Sequence, residues 1–208
     1  MPGLKQPPLS TLQQYGVNIN NIKDVSYNPL YDYQEYAAAG HTTLTFFQVP
    51  IGQSSKTLAD TNMDLAGQLS NGLNFVCTGI QVDFFPAAAD LSTADETAQF
   101  AYDYYRVMTS AAYLQFDVLN KDIVQQGPLN KFPPAQKFDF DAAMATGNAV
   151  IHTASMLQTT GQLFEIIPVT LKPSQSFKVS IQFPTAVAVN TAGRIGVTLR
   201  GYRYRDAT

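Results

Sequence analysis

Apolar residues in this chain recur at every second position, in short runs that prolines cut off. The run "SFKVSIQFP" at 176–184 shows the pattern best. Phe177, Val179, Ile181 and Phe183 share one face, while Lys178, Ser180 and Gln182 share the other. Period two is the spacing of a half-buried β-strand, whose successive side chains point to opposite faces. "HTTLTFFQVP" at 41–50 is β-branched and aromatic, and Pro50 ends it. "AYLQFDVLN" at 112–120 sets Leu114, Phe116 and Val118 on one face. "LNFVCTGIQVDFFP" at 73–86 changes phase midway: Leu73, Phe75 and Cys77 have one parity, Ile80, Val82 and Phe84 the other. A β-bulge at Thr78-Gly79 would keep both sets facing inward. Shorter strand candidates follow at 137–143, 149–157 and 162–170, and a closing strand runs from about Arg194 to Tyr204.

The period changes once. In "STADETAQFAYDYYRVM" at 92–108, Thr93 with Glu96 makes a capping-box pattern, and Phe100, Tyr104 and Met108 fall on one helical stripe. The spacing predicts a helix over 94–108. The polar segment 51–72 reads as a long loop with a short helical turn at 58–66, and "GPLNKFPP" at 127–134 as a rigid loop. About eight strands, one short helix and no βαβ alternation point to a mainly β protein, an antiparallel sandwich or barrel. No linker divides the chain after residue 40, so residues 40–208 are expected to form one domain. Residues 1–39 read as an extended N-terminal arm. Pro2, Pro7, Pro8 and Pro29 interrupt it, and Tyr27, Tyr31, Tyr33 and Tyr36 mark it without a periodic apolar face.

The formal net charge is −3, which argues against a protein that coats nucleic acid. Charged residues make up 14% of the chain, against about 25% in ordinary soluble domains. Uncharged polar groups cost less to desolvate than ions, so such a surface suits burial against neighbours. Cys77 is the sole cysteine, which excludes an internal disulfide and a cysteine zinc cluster. "MPGLKQPPLS" has no apolar core of a secretory signal, and no stretch reaches the roughly 18 apolar residues of a membrane helix.

Catalytic signatures are missing: no HExxH, no C-x-x-C, no G-x-S-x-G and no P-loop lysine motif. The two histidines, His41 and His152, sit in strand candidates without a local metal partner. Asp139 and Asp141 share a strand face in "KFDFDAA", a spacing that admits a cation site or an acid/base pair. A polar outward face with Phe138 and Phe140 turned inward fits the same residues better. Glu96 is accounted for by capping, Glu165 reads as a surface charge in a strand, and no glycosidase pair stands out beside Glu35. The expectation is no catalytic residue, no cofactor and no metal.

Four of the five arginines lie in "RIGVTLRGYRYRDAT". With Ile195, Val197 and Leu199 facing the core, Arg194, Thr198 and Arg200 face out. A bulge at Gly201 would then turn Tyr202 and Tyr204 inward and Arg203 and Arg205 outward. Arg200, Arg203 and Arg205 form a basic cluster that can meet phosphate, a neighbour's carboxylates or the chain's own acids.

The segments 44–86, "LNKFPP" at 129–134, 164–184 and "GRIGVTLRGYRYR" at 193–205 together resemble a group of bacteriophage virion structural proteins. The blocks "KTLADTNMDLAGQL" and "RIGVTLRGYRYR" are the most specific. The resemblance covers most of residues 40–205 and implies a capsid subunit with a single jelly roll. It implies self-assembly, other virion proteins as partners, non-specific contact with the packaged genome, manufacture in the host cytoplasm, and no catalytic residues. The expected interface residues are Tyr27, Tyr31, Tyr33 and Tyr36 on the arm and Arg200, Arg203 and Arg205 at the end. The alternatives are a cement, spike or adhesion protein on the same sandwich, and, more remotely, a polysaccharide-active enzyme.

Overall fold

A computed structural model describes residues 9–87, 94–119, 122–132, 134, 136–143, 153–160 and 164–206. The strands are β1 (Ile22–Tyr27), β2 (Leu30–Tyr36), β3 (Thr43–Phe46), β4 (Asn74–Phe85), β5 (Tyr113–Val118), β6 (Asp122–Pro128), β7 (Gln136–Ala143), β8 (Thr153–Thr160), β9 (Phe164–Leu171), β10 (Phe177–Gln182) and β11 (Gly193–Asp206). The helices are α1 (Leu9–Gln14) and α2 (Ala94–Met108). The chain is therefore mainly β, and every strand pairing is antiparallel.

One sheet runs β1-β11-β4-β9, with β2 also on β11; a second runs β3-β10-β5-β6; β7 and β8 form a hairpin apart. The inner faces of the two large sheets share one core, as a β-sandwich requires. Phe75, Ile80, Val82 and Phe84 of β4 and Ile195, Val197 and Leu199 of β11 meet Leu44 and Phe46 of β3, Phe116 of β5 and Phe177, Val179 and Ile181 of β10. Tyr104, Val107 and Met108 of α2 join them, while Tyr102 and Tyr105 stay exposed on its other side.

The change of phase expected in β4 is present. Gly79 opposes Arg200 and Cys77 opposes Gly201, so Thr78 is the extra residue of a bulge. The bulge on β4 suffices, and β11 runs straight past it. That corrects the expectation for the closing strand. Tyr202 and Tyr204 lie on the outer face with Val76 and Val25, under Leu12 and Val17, in a second small core. Gly201 is needed for a different reason: a Cβ there would stand 1.9 Å from the Val76 carbonyl oxygen.

Residues 22–36 are sheet, not arm, so residue 40 is no structural boundary. β11 is 14 residues long, and two short strands pair with its edge in tandem, Tyr27 opposite Tyr202 and Leu30 opposite Leu199. β2 has the required alternation, but two of its inward positions are polar. Leu30 and Tyr36 enter the core, while Asp32 accepts from the Phe47 N–H at 2.6 Å and from the Lys56 ammonium. Gln34 donates to the Thr45 carbonyl. These bonds tie β2 to the neighbouring sheet's β3 edge.

Of the helical turn expected at 58–66, a single turn forms at the start, where the Asp60 and Thr61 N–H groups both donate to the Thr57 carbonyl, at 2.9 and 3.0 Å. The segment then lies along the free edge of β2: the Tyr33 N–H donates to Asp60 O at 2.7 Å, and the Tyr31 N–H to Asn62 Oδ1 at 3.1 Å. Asp139 and Asp141 sit two apart on β7, opposite Leu157 and Ser155. His152 and Thr93 lie outside the described residues.

Candidate functional site

Tyrosines and arginines gather on the outer face of the five-stranded sheet, in two clusters along β11. At its start, Tyr33 of β2 pairs with Gly196 and lays its ring on it; a Cβ at Gly196 would stand 2.0 Å from that ring. Arg194 covers the ring, its guanidinium carbon 4.3 Å from the centroid, an approach that the ring's negative face favours. Arg194 also reaches the Ala59 carbonyl and the Asp60 carboxylate, the latter at 3.3 Å. The Tyr33 hydroxyl donates to Asp83 at 3.4 Å. Burial, and then the Asp83 charge, push the Tyr33 phenol above its ordinary range. Two hydrogen bonds from Thr57, backbone N–H and hydroxyl, hold the Asp60 carboxyl below its ordinary range. This cluster spends its charge inside the chain, fixing the loop over β2.

The second cluster is different. Arg200 donates to the Tyr27 hydroxyl at 2.8 Å, and its guanidinium carbon lies 6.0 Å from the Tyr27 ring. Tyr27 meets Tyr202 edge-on at 5.5 Å, and Tyr202 stacks with Tyr15 at 6.3 Å. Burial, and then the neighbouring Tyr15 and Tyr27, push the Tyr202 phenol up. Tyr27 stays 51% exposed. Among the described residues no carboxylate stands within ion-pair reach of Arg200, or of the exposed Arg205 and Lys23.

Of the expected interface residues, Tyr27 and Arg200 thus occupy one side of one sheet, while Arg205, exposed near the end of β11, has the opposite parity. Tyr31 and Tyr33 are half-buried against their own chain, 6.2 Å apart, with the Tyr31 hydroxyl on the Leu58 carbonyl. Tyr36 is wholly buried, which removes it as a surface anchor. Its hydroxyl donates to the Val187 carbonyl at 2.7 Å, and its ring packs edge-on against Phe84 and His41. His41 Nε2 accepts from the Ala37 N–H at 3.0 Å, so this histidine locks a turn.

Arg203 keeps the inward parity that the straight β11 dictates. It lies half-buried beside Asn62, Asp64, Gln68 and Ser70, and its Nε and Nη2 are shielded without an acceptor. Burial lowers its guanidinium's affinity for a proton, and Asp64 opposes that. The expected triplet of arginines is therefore split: Arg200 outward, Arg203 inward, Arg205 exposed at the end.

Sequence reasoning missed Tyr15 and Ile167, while Glu165 is on a strand and exposed as expected. Phe164 and Ile166 pack towards the core, which leaves Glu165 and Ile167 outward, and Ile167 is 88% exposed. The signal was available in "FEIIPV", where two adjacent isoleucines precede a proline that unsettles the register. A separate cleft of about 490 Å³ is lined by Asn18, Asn74, Thr170, Lys172, Tyr204 and Asp206, with Asn74 donating to Asp206 at 3.1 Å.

Among the described residues no three of His, Cys, Asp and Glu stand together as metal ligands would, and no helix is long and apolar enough to cross a membrane. Comparison with protein-family models, with curated proteins and with solved structures finds no match to this chain.

Proposed function

We propose that this chain is a virion structural protein, a capsid subunit with a single jelly roll that assembles with copies of itself into a bacteriophage shell. The observation that carries the reading is the order of pairing. β2 pairs with β11, β3 with β10, β4 with β9 and β5 with β6. First with last, second with second-last and so inward: this order supports reading these eight strands as one long hairpin rolled into two sheets, as in a jelly roll. β1 extends the roll along β11, and α2 and the β7–β8 hairpin are insertions between its strands.

A fold alone does not assign a function, since jelly rolls also serve lectins and small-molecule enzymes. The low charge and the exposed tyrosines Tyr27, Tyr102, Tyr105 and Tyr113 favour a protein that buries its surface against neighbours. The chain is made in the host cytoplasm and resides in the virion, with other virion proteins and the packaged genome as further contacts. The second reading, a cement, spike or adhesion protein, is favoured by the polar cleft beside Asn74 and Asp206.

The deciding experiment is light scattering behind a sizing column, with negative-stain images of the same fractions. Rings, particles or discrete multimers of the purified chain are expected. A monomer at every concentration refutes the shell subunit and leaves the cement or adhesion reading.

A further inference from the structure

One end of the five-stranded sheet carries a polar cleft of about 490 Å³ on its outer face, a size within the range of about 300–1,000 Å³ that small-molecule sites occupy. Its floor crosses three strands. Tyr204 of β11 pairs with Asn74 of β4, and Leu171 of β9 pairs with Phe75, so the next residue, Lys172, comes beside Asn74. Asp206 follows two residues after Tyr204 and accepts from the Asn74 amide at 3.1 Å. Residues 16–18 form the wall, with Val17 packed into the small core that holds Tyr204. Two of the floor residues are buried without having spent their polar groups. Tyr204 and Asn74 are each 6% exposed. The Tyr204 hydroxyl has no hydrogen-bond partner among the described residues and is not sealed off, so it opens on the cleft. Asn74 gives its N–H to Asp206 and keeps its carbonyl oxygen free. Buried polar groups are as a rule hydrogen-bonded, so open ones aimed into a cleft mark a place for a polar ligand. From this geometry we propose that the cleft binds an uncharged saccharide, a mono- or disaccharide whose hydroxyls meet Tyr204, Asn74, Asp206 and Lys172.

The class of ligand follows from the mix of groups. Lys172 brings one positive charge and Asp206 one negative, so the cleft is neutral as a whole. A phosphate there would meet the Asp206 carboxylate, and a metal ion would meet the Lys172 ammonium. Sugar hydroxyls donate and accept at once, and the cleft answers both needs. Asp206 and the Asn74 carbonyl accept, Lys172 donates, and the hydroxyls of Thr170 and Tyr204 do either. A carboxylate and an amide side by side suit two neighbouring hydroxyls on one sugar ring. Burial, and then the Asp206 charge, push the Tyr204 phenol up, which keeps its proton in place. The inference goes beyond the self-assembling reading and does not depend on it.

The test mixes the full chain with glucose, galactose, mannose and N-acetylglucosamine and reads saturation transfer from protein to sugar protons. A signal read on the sugar serves a monomer and a particle alike, so the result stands apart from whether the chain assembles. At least one sugar should bind with a Kd of about 1 mM or tighter. Tyr204→Phe should keep the wild-type Tm, because the hydroxyl has no partner within the chain to lose, and should weaken binding about fivefold or more, the loss of one hydrogen bond. Lys172→Met, an exposed residue clear of the core, should also weaken binding without unfolding the chain. Binding should persist at high salt, and alanine, a zwitterion that would meet Lys172 and Asp206 together, should not compete. No binding of any of the four sugars, or binding that both variants leave unchanged, overturns the site. Binding lost at high salt, or displaced by alanine, overturns the saccharide as its ligand. Each of these failures leaves the shell reading to the sizing column.

Discussion

Asp32→Ala is the single substitution that should cost this fold most for the fewest atoms. The carboxylate is wholly buried and accepts from the Phe47 N–H and the Lys56 ammonium. Phe47 has a φ of 67°, a left-handed conformation that a bulky side chain adopts reluctantly, so the bond to its N–H holds a costly turn in place. Without the carboxylate the buried N–H has no acceptor, a loss of about 1–3 kcal/mol. Lys56, 11% exposed, also loses its counter-ion. Breaking a buried pair from one side costs about 3–5 kcal/mol in all. For a chain of this size that is a fall in Tm of about 6–20 °C. Lys56→Met leaves the Phe47 bond intact and should cost much less. The double variant orphans no charge, so it should be more stable than the sum of the single losses by at least about 1 kcal/mol. Urea unfolding followed by circular dichroism measures all three. An Asp32→Ala loss below about 1 kcal/mol, or strict additivity, refutes the reasoning.

The same residue gives a pH dependence. Burial is the largest influence on Asp32 and raises its carboxyl above the ordinary 3.8, outweighing the Lys56 ammonium and the Phe47 N–H, which lower it. The folded state then binds this proton more tightly than the unfolded one. Asp32 therefore contributes most below the ordinary carboxylate range, and that contribution is lost as pH rises through the folded value. The stability of the wild type relative to Asp32→Asn should fall over that window; a constant difference between the two proteins contradicts it.

Two further substitutions test the outer face and the closing strand. Gly196→Ala places a methyl where the Tyr33 ring lies, and should cost about 1–3 kcal/mol by displacing the ring and Arg194 with it; a Tm equal to the wild type's would show that the ring moves freely. Arg203→Met should be neutral or stabilising within about 1 kcal/mol, because the guanidinium is half-buried with two shielded nitrogens unpaired; a loss above about 2 kcal/mol would mean that Asp64 pairs with it.

The strands that the alternating pattern marked are close to where it placed them, the candidate at 149–157 overlapping β8 from Thr153, and the helix over 94–108 is in place. These segments carry their own instruction: β4 and β10 are apolar on the inward face whatever they pack against. The segment at 22–36 does not. Its inward positions include Asp32 and Gln34, whose partners, Phe47, Lys56 and Thr45, become neighbours only after the two sheets meet. β6 was hidden for a related reason, since "DIVQQGP" has glutamines and a glycine where alternation would show. The bulge at Thr78-Gly79 was legible from the change of phase in β4, but not that it would serve β11 as well. Glycines stand at both Gly79 and Gly201, and only the paired register shows Thr78 as the residue left over. Assigning a second bulge to β11 inverted the faces of Tyr202, Tyr204 and Arg203. The candidate site was half-legible in consequence. Tyr27 and Arg200 carried the right chemistry, yet they lie 173 residues apart, and only the pairing of Tyr27 with Tyr202 brings them together.

The two kinds of edge in this sandwich are guarded against aggregation in different ways. An exposed strand edge invites any other strand, and proteins blunt it with charge, proline, bulges or a covering loop. A chain this poor in charge cannot rely on lysines. On β2 it uses a loop: Tyr31 and Tyr33 give their N–H groups to Asn62 and Asp60, and Asn62 donates to the Pro29 carbonyl at 2.8 Å. On β9 it uses a proline and a shift of register. Glu165 opposes Gly79, but Val169 opposes Cys77, so Ile166, Ile167 and Pro168 stand out of register. Pro168 has no N–H to offer a ladder. Backbone pairing along β9 is therefore interrupted where the side chains of Glu165 and Ile167 are most exposed. Pro168→Thr should thus leave ordered assembly intact while adding irregular, thioflavin-positive aggregates on storage. If it adds none, the proline does not guard this edge.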